Sequence, residues 1–384
     1  MVLLIGAGLM LRTLWALQHV DLGLNPSGVL TMRISLPSAA YNEAPQVVNF
    51  YSRLTAQLRA ISGVKQAGAA RSLPLGSQIG DFGLMVDGYV PPPGTNAKGD
   101  WQIVTDGYME AIGEQVVRGR TIAPSDTSDS QLVGLINDEM ARRYWAGRDP
   151  IGGRFRIGNR ANRPWITVVG IVKGVKHNGI TGVVKEKFYI PHTQWSKSLG
   201  NANLIRSMTI VLKTDGDPAA LTSPVRAAIR GIDPNLPVAD VRTMDDVVGA
   251  ALATPKFTSV LLSIFAALAL GLAAVGIYGV VHFTVAERTR EIGVRMALGA
   301  RSSHVVRLVM GEGMRAVGFG IVLGVIASLA MGRLVASMLY NTSPRDPIVL
   351  VAVAAMLAIV AIMASIVPAW RATGTEPAIA LRAE

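Results

Sequence analysis

Residues 287–301 place dense charge between two strongly apolar stretches: Glu287-Arg288-Thr289-Arg290-Glu291-Ile292-Gly293-Val294-Arg295-Met296-Ala297-Leu298-Gly299-Ala300-Arg301. The chemistry open to such a run is ionic recognition rather than covalent catalysis. Glu291 and Arg295 are spaced i,i+4 with the acid first, an order that supports an exposed helix by roughly 0.2–0.5 kcal/mol. Ile292, Met296 and Leu298 supply an apolar side, Gly299 suits a helix stop, and Ser302 or Ser303 suits the cap of a following helix. Glu287, Arg290, Glu291 and Arg295, with the small residues Gly293 and Gly299, are therefore candidate contacts for a partner outside the bilayer. The alternative is an amphipathic helix lying in the membrane surface, anchored by its arginines.

Covalent chemistry finds little support. The five histidines (His19, His177, His192, His282, His304) are scattered, without H-E-x-x-H or another metal-ligand spacing, and no G-x-S-x-G elbow occurs. Asp245-Asp246 reads as a surface pair at a helix start, not a catalytic dyad. Glu312 and Arg315 are spaced i,i+3 beside an apolar span, where pairing and snorkelling make their burial tolerable. No G-x-x-x-x-G-K-[ST] occurs within these 384 residues, so no phosphate cradle for ATP is encoded in them. The expectation is a non-enzyme with no cofactor or metal of its own.

These residues must be positioned by membrane-spanning elements. The chain is 50% hydrophobic but only 16% charged, against roughly 25% charged in a soluble domain. Val260–Phe283 carries no charge over about 24 residues, roughly 36 Å of helix, enough for a ~30 Å hydrocarbon core. Ala316–Leu339 is apolar apart from Arg333, within a helix predicted over about 305–339, and Ile348–Val367 is uncharged up to Pro368. Met1–Leu17 is apolar except for Arg12 and Thr13, but about 25 Å of helix is short for a span. It reads as a first helix, residues 1–19, truncated at its start, with Arg12 near the outer interface. Gly320, Gly324, Ser328 and Gly332 recur every four residues, a stripe that lets another helix approach closely, within the bundle or across a dimer.

The net charge of +11 invites a nucleic-acid reading, but its distribution opposes it. Residues 20–256 hold 26 Lys/Arg against 20 Asp/Glu without a basic block, and much of the remaining excess is arginine flanking apolar segments. Arg288, Arg290, Arg295, Arg301 and Arg307 place the 284–307 connection in the cytoplasm, and Arg371 and Arg382 place the tail there. Residues 20–256 and the link Tyr340–Pro347 then face outward, with Asn341-Thr342-Ser343 read as a turn. The absence of cysteine excludes disulfides and cysteine-based zinc sites.

In the outer region Val29–Leu36 alternates as a strand, Pro45–Ala60 has helical spacing (Val48, Tyr51, Leu54, Leu58), and Val64–Ala70 reads as a strand. Met208–Lys213, Pro218–Ile232 and Val238–Arg242 repeat the order, with glycine-containing stops at Gly63 and Gly231. Two such units would make a split ferredoxin-like sandwich from residues 28–75 and 206–250. The intervening 76–205 suggests a mostly β lobe, with strands at Gln131–Ile136, Arg154–Ile157, Trp165–Val172 and Lys187–Ile190 and one helix, Asp138–Trp145. The fold class is thus an α+β membrane protein, with four transmembrane helices and a large extracytoplasmic domain.

Ordered motifs then carry a resemblance. Gly107-Tyr108-Met109 with Arg118-Gly119-Arg120, Asn137-Asp138-Glu139 with Ala141-Arg142-Arg143-Tyr144-Trp145, and Asp149-Pro150-Ile151-Gly152-Gly153-Arg154 resemble the MacB-like periplasmic core domain. The last three helices, with Pro368-Ala369-Trp370-Arg371-Ala372, Glu376-Pro377 and Ala380-Leu381-Arg382, resemble the FtsX-like permease domain, here 257–384. The resemblance to MacB/FtsX-type ABC transporter permeases implies a porter lobe split by an inserted lobe and a location in the bacterial inner membrane. It also implies that 287–301 docks on an ABC ATPase, with ATP held by that separate subunit. The chain looks like one half of the duplicated permeases in this group. A homodimer, or a pseudo-dimer with a second permease half, is expected, with lipid around it and no nucleic acid. The function implied is export, efflux or mechanotransmission, and the alternative is a membrane-anchored binding or scaffold protein that works without ATP.

Overall fold

The computed structural model describes residues 1–158, 160, 162–199, 204–288, 291, 294 and 302–373. The chain divides into two compact units, one of residues 20–252 and one of residues 1–19 with 253–384.

In the first unit, strand β1 (Val29–Ser35) is followed by helix α2 (Ala44–Arg59) and β2 (Gln66–Ala70), α1 being the N-terminal helix of the other unit. Pro45 lies in the first turn of α2, and Glu43 with Gln46 forms a reciprocal cap that satisfies two end donors. The buried face of α2 starts at Val47 and continues through Tyr51, Leu54 and Leu58, so Val48, expected on that face, is only half-buried. Much later, β10 (Ser207–Lys213), α6 (Thr222–Ile232) and β11 (Val238–Thr243) interleave with the first three elements in the order β11-β1-β10-β2, all antiparallel. Helix α6 ends at Ile232, the bound expected from the sequence, two residues before Pro234, which has no N–H to continue it.

β1 does not alternate between buried and exposed. Leu30, Met32 and Ile34 pack in one core with Leu54 and Ile229, whereas Val29 joins a second core with Val211, Tyr108 and Met244. The second face is covered by α3 (Tyr108–Ile112) and α7 (Met244–Ala251), the latter capped by Thr243 and Asp246. A central strand buried on both faces reads as a continuous apolar run.

The segment between these halves closes on itself. Its strands are β3 (Asp81–Val86), β4 (Lys98–Val104), β6 (Val133–Asn137), β7 (Arg154–Ile157), β8 (Ile166–Val172) and β9 (Lys187–Pro191). They run β4-β3-β7-β8-β6-β9, and β9 returns to pair with β4 in parallel, making a ring of six. Closure removes the exposed edges that such strands would otherwise present. Its interior holds Phe155 edge-on to Phe188 at 5.5 Å, with Ile136, Ile166 and Val168. A seventh strand, β5 (Val116–Gly119), lies outside the ring on β8. Helix α4 (Asp138–Tyr144) follows β6, and the short α5 (Trp195–Ser198) follows β9. The ring shares one eleven-stranded sheet with the first half, joined where Ala70 of β2 pairs with Val104 of β4.

The second unit is helical: α1 (Val2–Gln18), α8 (Ala253–Glu287), α9 (Ser302–Val335) and α10 (Pro347–Thr373). Among the described residues, three helical stretches are long and apolar enough to cross a membrane: Ala253–Glu287, Met314–Gly332 and Pro347–Pro368. Val2–Gln18 is apolar but shorter. Leu4, Ile5, Ala7 and Leu9 of α1 pack on Ala266, Val349 and Val353, and Ser259 Oγ donates to the Met10 carbonyl at 3.2 Å. Outward, Phe257, Leu272, Val275, Phe319 and Val351 are each more than two-thirds exposed, an apolar surface suited to lipid. Arg12 forms an ion pair with Asp346, a residue of the 340–347 link that also accepts from Ile348 N at 3.0 Å as the cap of α10. Within that link Asn341 adopts a left-handed turn at φ 48°.

Candidate functional site

Helix α8 runs without interruption for 35 residues, about 52 Å, well beyond a ~30 Å hydrocarbon core. Its last residue, Glu287, is exposed, and Glu291 and Val294 beyond it are helical and exposed. Arg290, Gly293, Arg295 and Gly299 lie outside the described residues, and the next described helix opens at Ser302.

The small-residue stripe on α9 meets different neighbours along its length. Gly320 lines a cavity of about 440 Å³ with Gly276, Val280 and Val317. A side chain at Gly324 would run into Met1, and one at Gly332 would come within 3.2 Å of Pro344. Ser328 is buried, its hydroxyl donating to the Gly324 carbonyl at 2.7 Å. At Gly324 and Gly332 the neighbours that a side chain would meet thus belong to the same unit.

A cluster of charge lies buried in the outer unit, where β9 closes against β4. Asp100 pairs in register with Lys187, and the Lys187 ammonium sits 3.1 Å from His177 Nδ1. Glu114 accepts the Tyr189 hydroxyl, and Asn178 donates to Asp100 at 3.0 Å. Arg71 lies 3.5 Å over the Trp101 ring, which stacks on Trp195 at 4.8 Å. Burial pushes Lys187 down to about 8, opposed by Glu114 and Asp100, and pushes His177 down to about 2, with Lys187 and Arg71 adding to the effect. Burial raises Glu114 to about 7, opposed by Lys187 and the Tyr189 hydroxyl, and raises Asp100, with Asp81 adding to the rise. Asp100 Oδ1, His177 Nε2 and Arg71 Nε are buried with no hydrogen-bond partner among the described residues. Spacing could not have revealed this cluster, because its members come from five separate segments. Among the described residues no group of His, Cys, Asp or Glu is arranged to hold a metal.

The cluster makes stability depend on pH. A carboxyl raised on folding contributes stability that is complete below its unfolded value and is lost as pH rises through the folded one, here from about 4.5 to about 7 for Glu114. Glu114→Gln keeps an acceptor for Tyr189 and cannot ionise. Relative to the parent, the variant is expected to gain on the order of 2–3 kcal/mol between pH 4.5 and pH 8, with Asp100 unchanged in both. Urea unfolding followed by tryptophan fluorescence across that range measures it, and parallel curves would remove Glu114 as the source.

Comparison with known proteins fixes the family. Residues 27–228, more than half of the chain, match the MacB-like periplasmic core domain. The chain belongs to the MacB/FtsX-type permease family. Residues 263–377 match the FtsX-like permease C-terminal domain. A macrolide export ATP-binding/permease protein MacB of Yersinia pestis is 27% identical over 295 residues, covering 72% of this chain and 42% of that protein. One from Burkholderia thailandensis is 25% identical over 229 residues, covering 59% and 34% respectively. The chain thus spans less than half the length of these relatives. The periplasmic region of MacB from Actinobacillus actinomycetemcomitans aligns over 61% of this chain and 96% of its own at 12% identity, with a TM-score of 0.40.

The family motifs of this MacB/FtsX-type permease act as joints of the outer unit. Gly107 caps α3 at φ 73°, where a Cβ would lie 2.7 Å from the Ala67 carbonyl. Arg118 reaches from one motif to Asp149 of another at 2.9 Å, and Arg120 grips Asp126 through two bonds of 2.7 and 2.8 Å. Asn137 caps α4 by accepting from Met140 N at 3.0 Å, accepts from Lys187 N at 2.9 Å, and donates to the Lys185 carbonyl at 2.7 Å. Gly153 leaves room for the Trp145 indole.

Proposed function

We propose that this permease is the membrane-spanning subunit of an ABC transporter and passes ATP-driven motion of a partner ATPase to its extracytoplasmic domain, for export, efflux or mechanotransmission. The observation that carries the reading is the unbroken helix from Ala253 to Glu287. A continuous backbone ladder of this length transmits displacement along its axis with little loss, and one residue, Leu252, separates it from α7. At its other end the segment 287–301 is too charged for lipid and is assigned the ATPase contact. In this reading α1 is the first of four spans, residues 20–256 form the outer domain in the bacterial inner membrane, and ATP sits on the partner. The outer domain comprises a split porter lobe (28–75 and 206–250) and an inserted lobe (76–205). Two permease halves assemble as a homodimer or pseudo-dimer.

Purification of the full chain from its native membrane in mild detergent tests the proposal. A stoichiometric ABC ATPase in the purified complex is the expected result. Its absence across detergents and nucleotide states would support the scaffold reading, in which the outer domain works without ATP.

A further inference from the structure

A cleft of about 220 Å³ opens in the outer unit, apart from the buried charge cluster. Helix α2 forms one wall with Ser52, Ala56 and Arg59, and the facing walls come from the end of β4, residues 122–124 with Asp126, and Pro191 at the end of β9 with His192-Thr193 after it. His192 is 6% exposed, with its ring edge-on to Tyr51 at 5.2 Å. Neither ring nitrogen hydrogen-bonds another described residue, and neither is sealed in the core as His177 Nε2 is. The small void on the other side of His192, about 20 Å³, has room for a single water at most. A larger occupant belongs in the cleft.

The walls define what that occupant is. Arg59 donates to Asp106 Oδ2 at 2.6 Å and to two carbonyls, while Asp126 is held by Arg120 and by Ala123 N at 2.8 Å. The charges are thus already paired, and a charged ligand would have to break those pairs. Burial pushes His192 down to about 4, so at neutral pH it is an uncharged imidazole with one donor and one acceptor. The groups that match it are those offering both functions, an amide or a hydroxyl. Val104, Ile122, Pro124 and Pro191 give the cleft an apolar lining. The Thr55, Thr105 and Thr193 hydroxyls are bonded to main-chain groups, which leaves the Ser52 hydroxyl beside His192, too few partners for a polyhydroxylated ligand.

We propose that this cleft binds a small uncharged molecule carrying one amide or hydroxyl group on a compact apolar body, with His192 as the group that recognises it. Benzamide is a suitable probe, with benzoate and benzylammonium as charged molecules of the same shape. The full chain in lipid nanodiscs, labelled at its histidine rings, is titrated with each. Benzamide is expected to saturate with a dissociation constant on the order of millimolar and to shift the His192 ring resonances, the charged probes binding at least tenfold more weakly. His192→Phe keeps the edge contact with Tyr51 but removes both nitrogens, and should weaken benzamide at least tenfold, whereas His192→Gln should retain it. Ala56→Leu fills the cleft from the exposed side of α2 and should block binding with the core untouched. Absence of saturation by benzamide, equal binding of all three probes, or unchanged affinity in both His192→Phe and Ala56→Leu would overturn the proposal. None of these measurements depends on an ATPase.

Discussion

Gly119→Ala is expected to destabilise the outer domain by about 3–5 kcal/mol, a loss reached by few single substitutions. Gly119 ends β5 at φ 79°, a conformation that costs an L-residue roughly 1–2 kcal/mol by itself. Its Cβ would also drive into the Val169 carbonyl and come within 2.9 Å of Gly170 Cα, on the strand that β5 pairs with. Main chain cannot rotate away as a side chain can, so β5 must leave β8 or β8 must shift within the ring. Gly147→Ala is the control, because Gly147 has nearly the same φ, 75°, but nothing within 4 Å of a Cβ. It should lose only the conformational part, about 1 kcal/mol. Denaturant unfolding of the two variants separates the terms, and equal losses would mean that strand contact at Gly119 is unimportant.

Glu291→Arg and Gly293→Trp are expected to weaken association with a cognate ABC ATPase roughly tenfold or more, about 1.4 kcal/mol per factor of ten. Both changes fall in the charged segment after α8 and add nothing to the apolar bilayer spans. The variants should therefore insert normally and retain the parent's outer-domain unfolding curve. Their ATPase partner should co-purify poorly and lose its stimulation. Arg371→Glu, in the last turn of α10 and outside the proposed contact, should have a smaller effect. If the segment variants bind and stimulate the ATPase like the parent, residues 287–301 only anchor α8 at the membrane surface.

The sequence disclosed the elements whose signal is local. The apolar lengths of α8, α9 and α10 exceed anything a soluble core needs, and the periods of α2, β10 and β11 survive in the structure with shifts of a residue or two. Strands β3 and β4 were not legible, because Gly83, Gly99 and Asp100 interrupt their alternation with poor strand formers. Helix α3 has five residues between two left-handed glycines, too short for a period to show. Arg12 was marked by its charge in an apolar helix, but its partner Asp346 lies more than three hundred residues away. Lys187 misleads in another way: a lysine opening a strand is ordinarily solvated, whereas here it is 3% exposed among groups gathered by ring closure. The cleft at His192 is likewise a product of tertiary structure, since no pattern around that residue distinguishes it from the other four histidines.

The strand order also sets a timetable for biogenesis. β1 is flanked in the sheet by β10 and β11, and β4 is joined to β9, so early strands wait for partners translated much later. Pairings of such long sequence separation form slowly. The last of them, Leu30 with Thr243, is available only ten residues before α8 begins at Ala253. During export the outer domain therefore remains open-edged until the next apolar helix is reaching the membrane. Completion of the sheet and insertion of α8 fall together in time, and a chain delayed at that step would expose unpaired strands to aggregation and proteolysis.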